Sequence, residues 1–287
     1  MRRLLFLLQL FVGGGYLFAE TRYFRFAPAD ETRFVRTQTR SGRVEAEGVM
    51  RTETTIFKAR FVFRRIPSGF ELTMTPLSFR YLVNDRDVET PVWGWIEGHT
   101  LRMKFNSVGK LTETRGYDEI DQRIMDSRQP FSQLKPNFQL DRYRIGQAER
   151  QGWDGHTMLW IDQKAAPGSE ISFDSRERSF IGELVKSHTE MKILRAKPCG
   201  AARCVSTVYK MVPDLEEAMR RANESRNDDL IGATGSETIE QLIEPDTMLV
   251  HYERVTWQSH VDALTSEGTD ARHTSLTITS EFEYAKR

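Results

Sequence analysis

The chain is short of most features that point to a particular chemistry. Only two cysteines occur among its 287 residues, and 41 basic side chains are balanced by 41 acidic ones. This balance argues against a general nucleic-acid binder, which needs a strong positive field. Beyond the first twenty residues no apolar run is long enough to span a membrane. We therefore expect no nucleic-acid partner and no membrane-spanning segment in the rest of the chain.

The sequence also lacks the motifs of common catalytic and cofactor sites. It has no Gly-x-Ser-x-Gly nucleophile elbow, no phosphate-binding loop and no calcium loop. Its six histidines include no His-x-x-x-His pair. His251 and Glu253 fall on one face of a predicted strand, where they form either a polar patch in a cleft or, as we favour, an ordinary half-exposed strand face. We predict no catalytic residue, no metal and no cofactor, and we rank an enzyme last among the functional classes.

The first nineteen residues have the features of a secretory signal peptide. Two arginines precede an apolar run at positions 4–12, and Ala19 is a small residue before the charged Glu20. Such a segment directs export and is then removed. We therefore expect an exported protein, periplasmic or extracellular, that does not span a membrane after signal removal.

Cys199 and Cys204 are separated by four residues. An oxidising compartment joins thiols that lie this close, so we predict a disulfide. A metal site would need further ligands, of which the local sequence gives no sign, and a redox-active pair usually has the closer Cys-x-x-Cys spacing. Closing so short a loop contributes about 2 kcal/mol. The bond is therefore expected to clamp a hairpin tip, and the fold should survive its loss.

Alternation of apolar and polar residues predicts a β-rich fold. Phe57, Phe61 and Phe63 share one strand face, and Gly, Pro, Asn or Asp separate similar segments. Helical periodicity is clearest at 213–222, followed by a predicted loop at 223–236. The fold class is therefore a β-dominated α+β one: a curved antiparallel sheet, an open or half barrel built of hairpins, with one or two helices packed on it.

The sequence divides into three predicted regions. Residues 1–19 are the predicted signal peptide, 20–140 form a first strand-rich half that ends in a helical segment, and 141–287 form a second strand-rich half. No long Pro- or Gly-rich linker separates the two halves. We expect them to be continuous, while one domain and two domains both remain open.

Two segments carry a resemblance to known proteins. A first meander ends on Phe105-Asn-Ser-Val-Gly-Lys-Leu-Thr-Glu-Thr-Arg-Gly-Tyr117, and a terminal pair of strands follows Glu244-Pro-Asp-Thr-Met248. With the leading apolar segment and a helical middle, this layout resembles uncharacterised secreted bacterial β-rich domains and is similar to the outer-membrane lipoprotein-carrier class. The resemblance implies a lipid-binding half-barrel with an apolar cavity, and it supplies no catalytic residue.

Trp93 and Trp95 are the candidate ligand-binding residues. Side chains two apart on a strand point in one direction, so the two indoles form a platform for a ligand or, more simply, pack in the core. Our first hypothesis is an exported, non-enzymatic binding protein of the cell envelope for an apolar or lipid ligand, with a lipid or lipoprotein as partner. The alternative is a structural or protein-interaction module. A continuous apolar cavity favours the first, and a filled core with an exposed flat edge favours the second.

Overall fold

The computed structural model describes most of the chain after residue 22. The described residues are 23–46, 49–89, 96–116, 158–179, 183–200, 202–226, 229–265 and 268–285. Three predictions lie outside the described residues: the signal peptide at 1–19, the helical segment at the end of the first strand-rich half, and the tryptophan pair Trp93 and Trp95.

Strands make up most of the described chain. They are β1 (Arg33–Ala46), β2 (Val49–Ile66), β3 (Gly69–Val83), β4 (Arg86–Asp87), β5 (Leu101–Asn106), β6 (Leu111–Arg115), β7 (Glu170–Arg178), β8 (Leu184–Cys199), β9 (Ala202–Pro213), β10 (Leu230–Ile243), β11 (Val250–Thr265) and β12 (Gly268–Tyr284). Between β9 and β10 lies the helix α1 (Leu215–Arg226), and a short 3-10 turn spans Met158–Trp160.

All twelve strands belong to one antiparallel sheet, which is curved and not closed into a barrel. The order along it is β6-β5-β3-β2-β1-β12-β11-β10-β9-β8-β7, and β4 pairs with β3 outside this path. The first and last strands are therefore neighbours, with Phe34 of β1 opposite Tyr284 of β12. The predicted fold class is confirmed, and the described part contains one helix packed on the sheet.

Successive side chains along a strand point to opposite faces of the sheet, so each side chain lies on one of two faces. We call the face that carries Phe61 the inner face. Phe61 lies opposite Phe34 on one neighbouring strand and Met74 on the other, so the inner face continues across all three strands. Phe61 is buried and Phe79 is half-buried, whereas Arg60 on the outer face is exposed. The strand-face assignment made from the alternation is therefore confirmed.

The core lies on the inner face and joins both ends of the sheet. Its buried residues come from β1–β3, β5, β6 and β8–β10. Phe26, in the segment before β1, contacts phenylalanine rings of β2, β3 and β5 with centroids 5.2–6.0 Å apart. Phe24 packs against Trp160. Because one cluster includes strands from both ends, the inner face is the concave side of the sheet.

Part of the sheet extends beyond this core. We call this part the open half; it comprises residues 38–46, 49–57, 230–238, 256–265 and 268–277. Among the residues there whose exposure the structure describes, Ser259 is the one buried residue, and the others are half-buried or exposed. The open half therefore offers side chains for contact on both of its faces.

The helix α1 begins close to the predicted position and has a side-chain cap. The carboxylate of Asp214 accepts a hydrogen bond of 3.0 Å from the backbone N–H of Glu217. Pro213 ends β9 and does not begin the helix. The capping role therefore belongs to the aspartate, while the proline separates strand from helix.

The predicted loop at 223–236 is wrong. The helix α1 continues to 226, and β10 begins at Leu230. The side chain of Asn223 donates to the carbonyl of Leu230 and accepts from its N–H, at 2.9 and 3.0 Å. Ala218 and Ala222 of the helix are fully buried, and the helix contacts β8 and β10. The segment has little apolar content because its strand lies in the open half, where neither face is covered by the core.

Glu217 links α1 to β8 and gives a prediction about acid stability. Its carboxylate accepts hydrogen bonds from the backbone N–H of Lys186 (3.3 Å) and from Arg221 (2.6 Å). The backbone hydrogen bond, and then the charge of Arg221, lower the pKa of Glu217. A carboxyl with a lowered folded-state pKa stabilises the protein above its unfolded pKa, and this stability is lost as pH falls through the folded pKa.

We therefore expect Glu217→Gln to lose stability at pH 7 and to decline less steeply than the parent between about pH 5 and pH 3. Urea unfolding at a series of pH values measures this. Glu216→Gln is the matched control, because Glu216 is an exposed acid in the same helical turn. Equal slopes for the two variants would contradict the assignment.

Candidate functional site

A row of polar side chains crosses the middle of the inner face. Neighbouring strands place these residues opposite one another: Gln38 of β1, Ser280 of β12, Glu253 of β11, Gln241 of β10 and Thr207 of β9. We call them the polar row. Gln241 donates a 2.7 Å hydrogen bond to the carboxylate of Glu253, and Gln38 donates to Ser280 at 3.4 Å. The row places the Glu253 carboxylate beside the apolar side chains of the concave surface, and Glu237, opposite Trp257, is a second acid on that face.

Four half-buried apolar side chains adjoin the polar row on the side of the open half. Val255 lies opposite Ile278, and Trp257 lies opposite Leu276, so the four form a two-by-two group on β11 and β12. We call this group the apolar patch. Arg40 of β1 lies opposite Ile278 on the same face, and it is exposed. The space above Gly42 is occupied in part by Leu276, whose side chain would lie 3.9 Å from an added Cβ atom.

This arrangement suits a ligand with two kinds of surface. The apolar patch can contact hydrocarbon, while the amides and carboxylate of the polar row can hydrogen-bond to a polar group. Arg40 adds a positive charge at the border. Since full burial of such an apolar side chain is worth about 1.5–3 kcal/mol and these four are already partly covered, a ligand must engage several of them together.

His251 and Glu253 were expected on one strand face, and the structure gives them different partners. Glu253 binds Gln241, whereas His251 packs its ring on Tyr284 with centroids 4.5 Å apart and lies 3.9 Å from the carboxylate of Glu244. Burial lowers the pKa of His251, and the nearby Glu244 opposes this only in part. Burial therefore favours the neutral form of this imidazole.

Burial also raises the pKa of Tyr284, whose hydroxyl donates a 2.8 Å hydrogen bond to the carbonyl of Val250. Cys199 and Cys204 form the predicted disulfide at the turn between β8 and β9, with Cα atoms 5.8 Å apart. The disulfide, His251, Glu244 and Tyr284 thus occupy one corner of the sheet.

The outer face of the open half carries a polar groove of about 650 Å³. Two histidines that are distant in the sequence meet there: Nδ1 of His260 lies 3.0 Å from Nδ1 of His273, and Nε2 of His260 lies 3.0 Å from the carboxylate of Asp262. Hydroxyl groups of Ser236 and Ser275 also line the groove. This meeting of the two histidines could have been predicted from the sequence. His260 and His273 are equally far from the turn between β11 and β12, and residues equally far from a hairpin turn face each other across the two strands.

The predicted ligand-binding pair Trp93 and Trp95 lies outside the described residues and stays a prediction. The structure adds Trp257 and Val255, which the sequence analysis did not select. Leu276 and Ile278 alternate with polar residues in the sequence of β12 and so share one face, but only the strand pairing shows what lies beside them.

Comparisons with known proteins identify no relative: neither a family model nor a curated protein matches the chain. In the part of the chain that the structure describes, no helix is long and apolar enough to cross a membrane.

Proposed function

We propose that the protein is an exported, non-enzymatic binding protein of the cell envelope that holds a lipid-like, amphipathic ligand on its concave face. The observation that supports this is the apolar patch next to the polar row, at the border between the core, against which Val255 packs, and the open half. The disulfide is compatible with an oxidising, exported location. The resemblance in layout to lipoprotein carriers agrees with the same class of ligand.

The ligand's chain would lie along β11 and β12 over Trp257 and Leu276. Its polar end would reach the polar row, where Glu253 and Gln241 offer an acceptor and amide groups. Arg40 on β1 and Glu237 on β10, which lies opposite Trp257, border the apolar patch with opposite charges. This distribution favours an acyl compound with a polar head over a purely apolar one.

A second candidate is an interaction module of the envelope, and one observation favours it. Four large apolar side chains are exposed at the strand ends of the open half: Val49 (69%), Met50 (53%), Ile231 (56%) and Leu264 (55%). They lie at the β1–β2 turn, at the start of β10 and next to the β11–β12 turn. Exposed apolar residues grouped at one end of a sheet are typical of protein-contact surfaces.

Binding of a fluorescent acyl probe tests the first proposal. We expect saturable quenching of tryptophan emission in the parent protein and at least a tenfold higher Kd in the double variant Trp257→Ala/Leu276→Ala. The matched control is Thr256→Ala/Thr277→Ala, because these two residues are cross-strand partners on the opposite face of the same strands. The control should bind the probe as the parent does, with circular dichroism confirming the fold of both variants.

Two outcomes would contradict this proposal. One is the absence of saturable binding for both anionic and neutral acyl probes, together with no lipid in the native mass spectrum of protein isolated from its host. The other is equal weakening by the inner-face and outer-face variants. Either result would favour the interaction module.

A further inference from the structure

The corner that contains the disulfide also contains a third metal-binding side chain. Sγ of Cys199, Sγ of Cys204 and a ring nitrogen of His251 all lie within 4.8 Å of one another. The cysteines belong to the β8–β9 hairpin, while His251 belongs to β11, on the far side of β10. Both cysteines are buried, at 8% and 1% exposure. Nε2 of His251 is buried and has no hydrogen-bond partner among the described residues.

We infer that this corner is a redox-controlled site for a thiophilic cation such as Zn²⁺. When the disulfide is reduced, Cys199 and Cys204 supply two thiolates and His251 supplies an imidazole nitrogen. Cysteines separated by four residues have the spacing of zinc-binding pairs. The inference is independent of the proposed lipid-like ligand, because none of these residues belongs to the apolar patch or the polar row.

Zinc binding would require only small movements of the three ligand side chains. Tetrahedral zinc with bonds of about 2.0–2.3 Å places its ligand atoms roughly 3.3–3.8 Å apart. The two sulfur atoms must therefore separate after reduction, while the histidine nitrogen starts no more than 4.8 Å away. Rotation about the cysteine side-chain bonds supplies such a displacement without moving the strands.

Neighbouring groups orient the histidine. The carboxylate of Glu244 lies 3.9 Å from Nε2 of His251. The ring of Tyr284 packs on the imidazole, and its own hydroxyl is held by the carbonyl of Val250. Contacts that fix the orientation of a ligating histidine raise the affinity of a metal site.

A dithiol is the reductant that opens the Cys199–Cys204 disulfide. The dithiol transfers two electrons and two protons to the Cys199–Cys204 bond, which breaks to give two thiols, and the dithiol becomes a disulfide. Cation binding then releases the two thiol protons to solvent. The oxidised form clamps the hairpin alone, whereas the metal-bound form also ties the hairpin to β11.

Cobalt titration tests the site directly, because thiolate–Co²⁺ bonds give a charge-transfer absorption. Protein reduced with a phosphine should bind one Co²⁺ per chain with this absorption, and Zn²⁺ should displace it. The oxidised protein and Cys199→Ser/Cys204→Ser should show no such band. His251→Gln should raise the Kd at least tenfold, whereas the matched control His188→Gln should not, because His188 is exposed and pairs with Asp174 on the outer face.

Thermal unfolding separates a folded site from binding to unfolded chain. Zn²⁺ should raise the Tm of the reduced parent and leave that of the oxidised protein unchanged, since only a ligand that prefers the folded state stabilises it. The inference is overturned if the reduced protein binds Co²⁺ no more tightly than the oxidised protein. It is also overturned if His251→Gln binds as the parent does, which would mean that the thiols act alone.

Discussion

Replacement of Phe61 by alanine should lower the free energy of unfolding by about 3–5 kcal/mol. Phe61 is 3% exposed, and its ring stacks on that of Phe34 with centroids 4.9 Å apart and planes 4° from parallel. The guanidinium of Arg36 lies 5.0 Å from the same ring centroid. The strands on both sides of β2 prevent the surrounding structure from filling the space that the ring leaves. The loss of stability therefore includes both the lost burial of the ring and the cost of the remaining cavity.

Arg60→Ala provides the comparison on the same strand. Arg60 is the preceding residue and lies exposed on the outer face, so its removal should change stability by less than about 0.5 kcal/mol. Urea unfolding of both variants measures the difference. Similar losses for the two, or a larger loss for Arg60→Ala, would mean that the register of β2 is displaced by one residue.

Replacement of Gly69 by alanine should cost about 3 kcal/mol or more. Gly69 begins β3 with a φ of +142°, and a Cβ atom there would lie 2.2 Å from the carbonyl oxygen of Phe105 and 2.8 Å from Cα of Asn106. Both obstructing atoms belong to the backbone of β5, which is paired with this strand. The backbone conformation costs about 1–3 kcal/mol for a residue other than glycine, and displacing a paired strand adds about 1–3 kcal/mol.

Gly168→Ala separates these two contributions. Gly168 also has a positive φ of +85°, but an added Cβ would meet no atom within 4 Å. This variant should therefore lose only the conformational part, about 1–2 kcal/mol. Urea midpoints of the two variants give the comparison, and equal losses would show that the contact with β5 contributes nothing.

The candidate site was only partly accessible to prediction. The alternation on β12 placed Leu276 and Ile278 on one face, because side-chain direction depends on the strand's own period of two. Their neighbours Val255 and Trp257 follow from the register between β11 and β12. The adjacent polar row runs through five strands that are distant in the sequence, and no local pattern indicates which polar residues share a row.

The surroundings of the cysteine pair could also be predicted only in part. Spacing and the predicted compartment were enough to predict a disulfide, because both depend on nearby residues. The expectation of no further metal ligand also depended on nearby residues only, and so it did not consider His251. His251 follows Cys204 by 47 positions, and it reaches the pair only because β9, β10 and β11 are adjacent in the sheet.

The sequence by itself determined that this chain forms antiparallel strands with one apolar face, that a helix follows β9, and that two cysteines pair. Each of these depends on side-chain direction, chain stiffness or spacing within a few residues. The tertiary structure alone decided that β1 pairs with β12, that the core covers only part of the sheet, and that His251 meets the cysteines. Those outcomes depend on pairing between distant strands and on which rows the core covers, and such long-range contacts leave no periodic trace in the sequence.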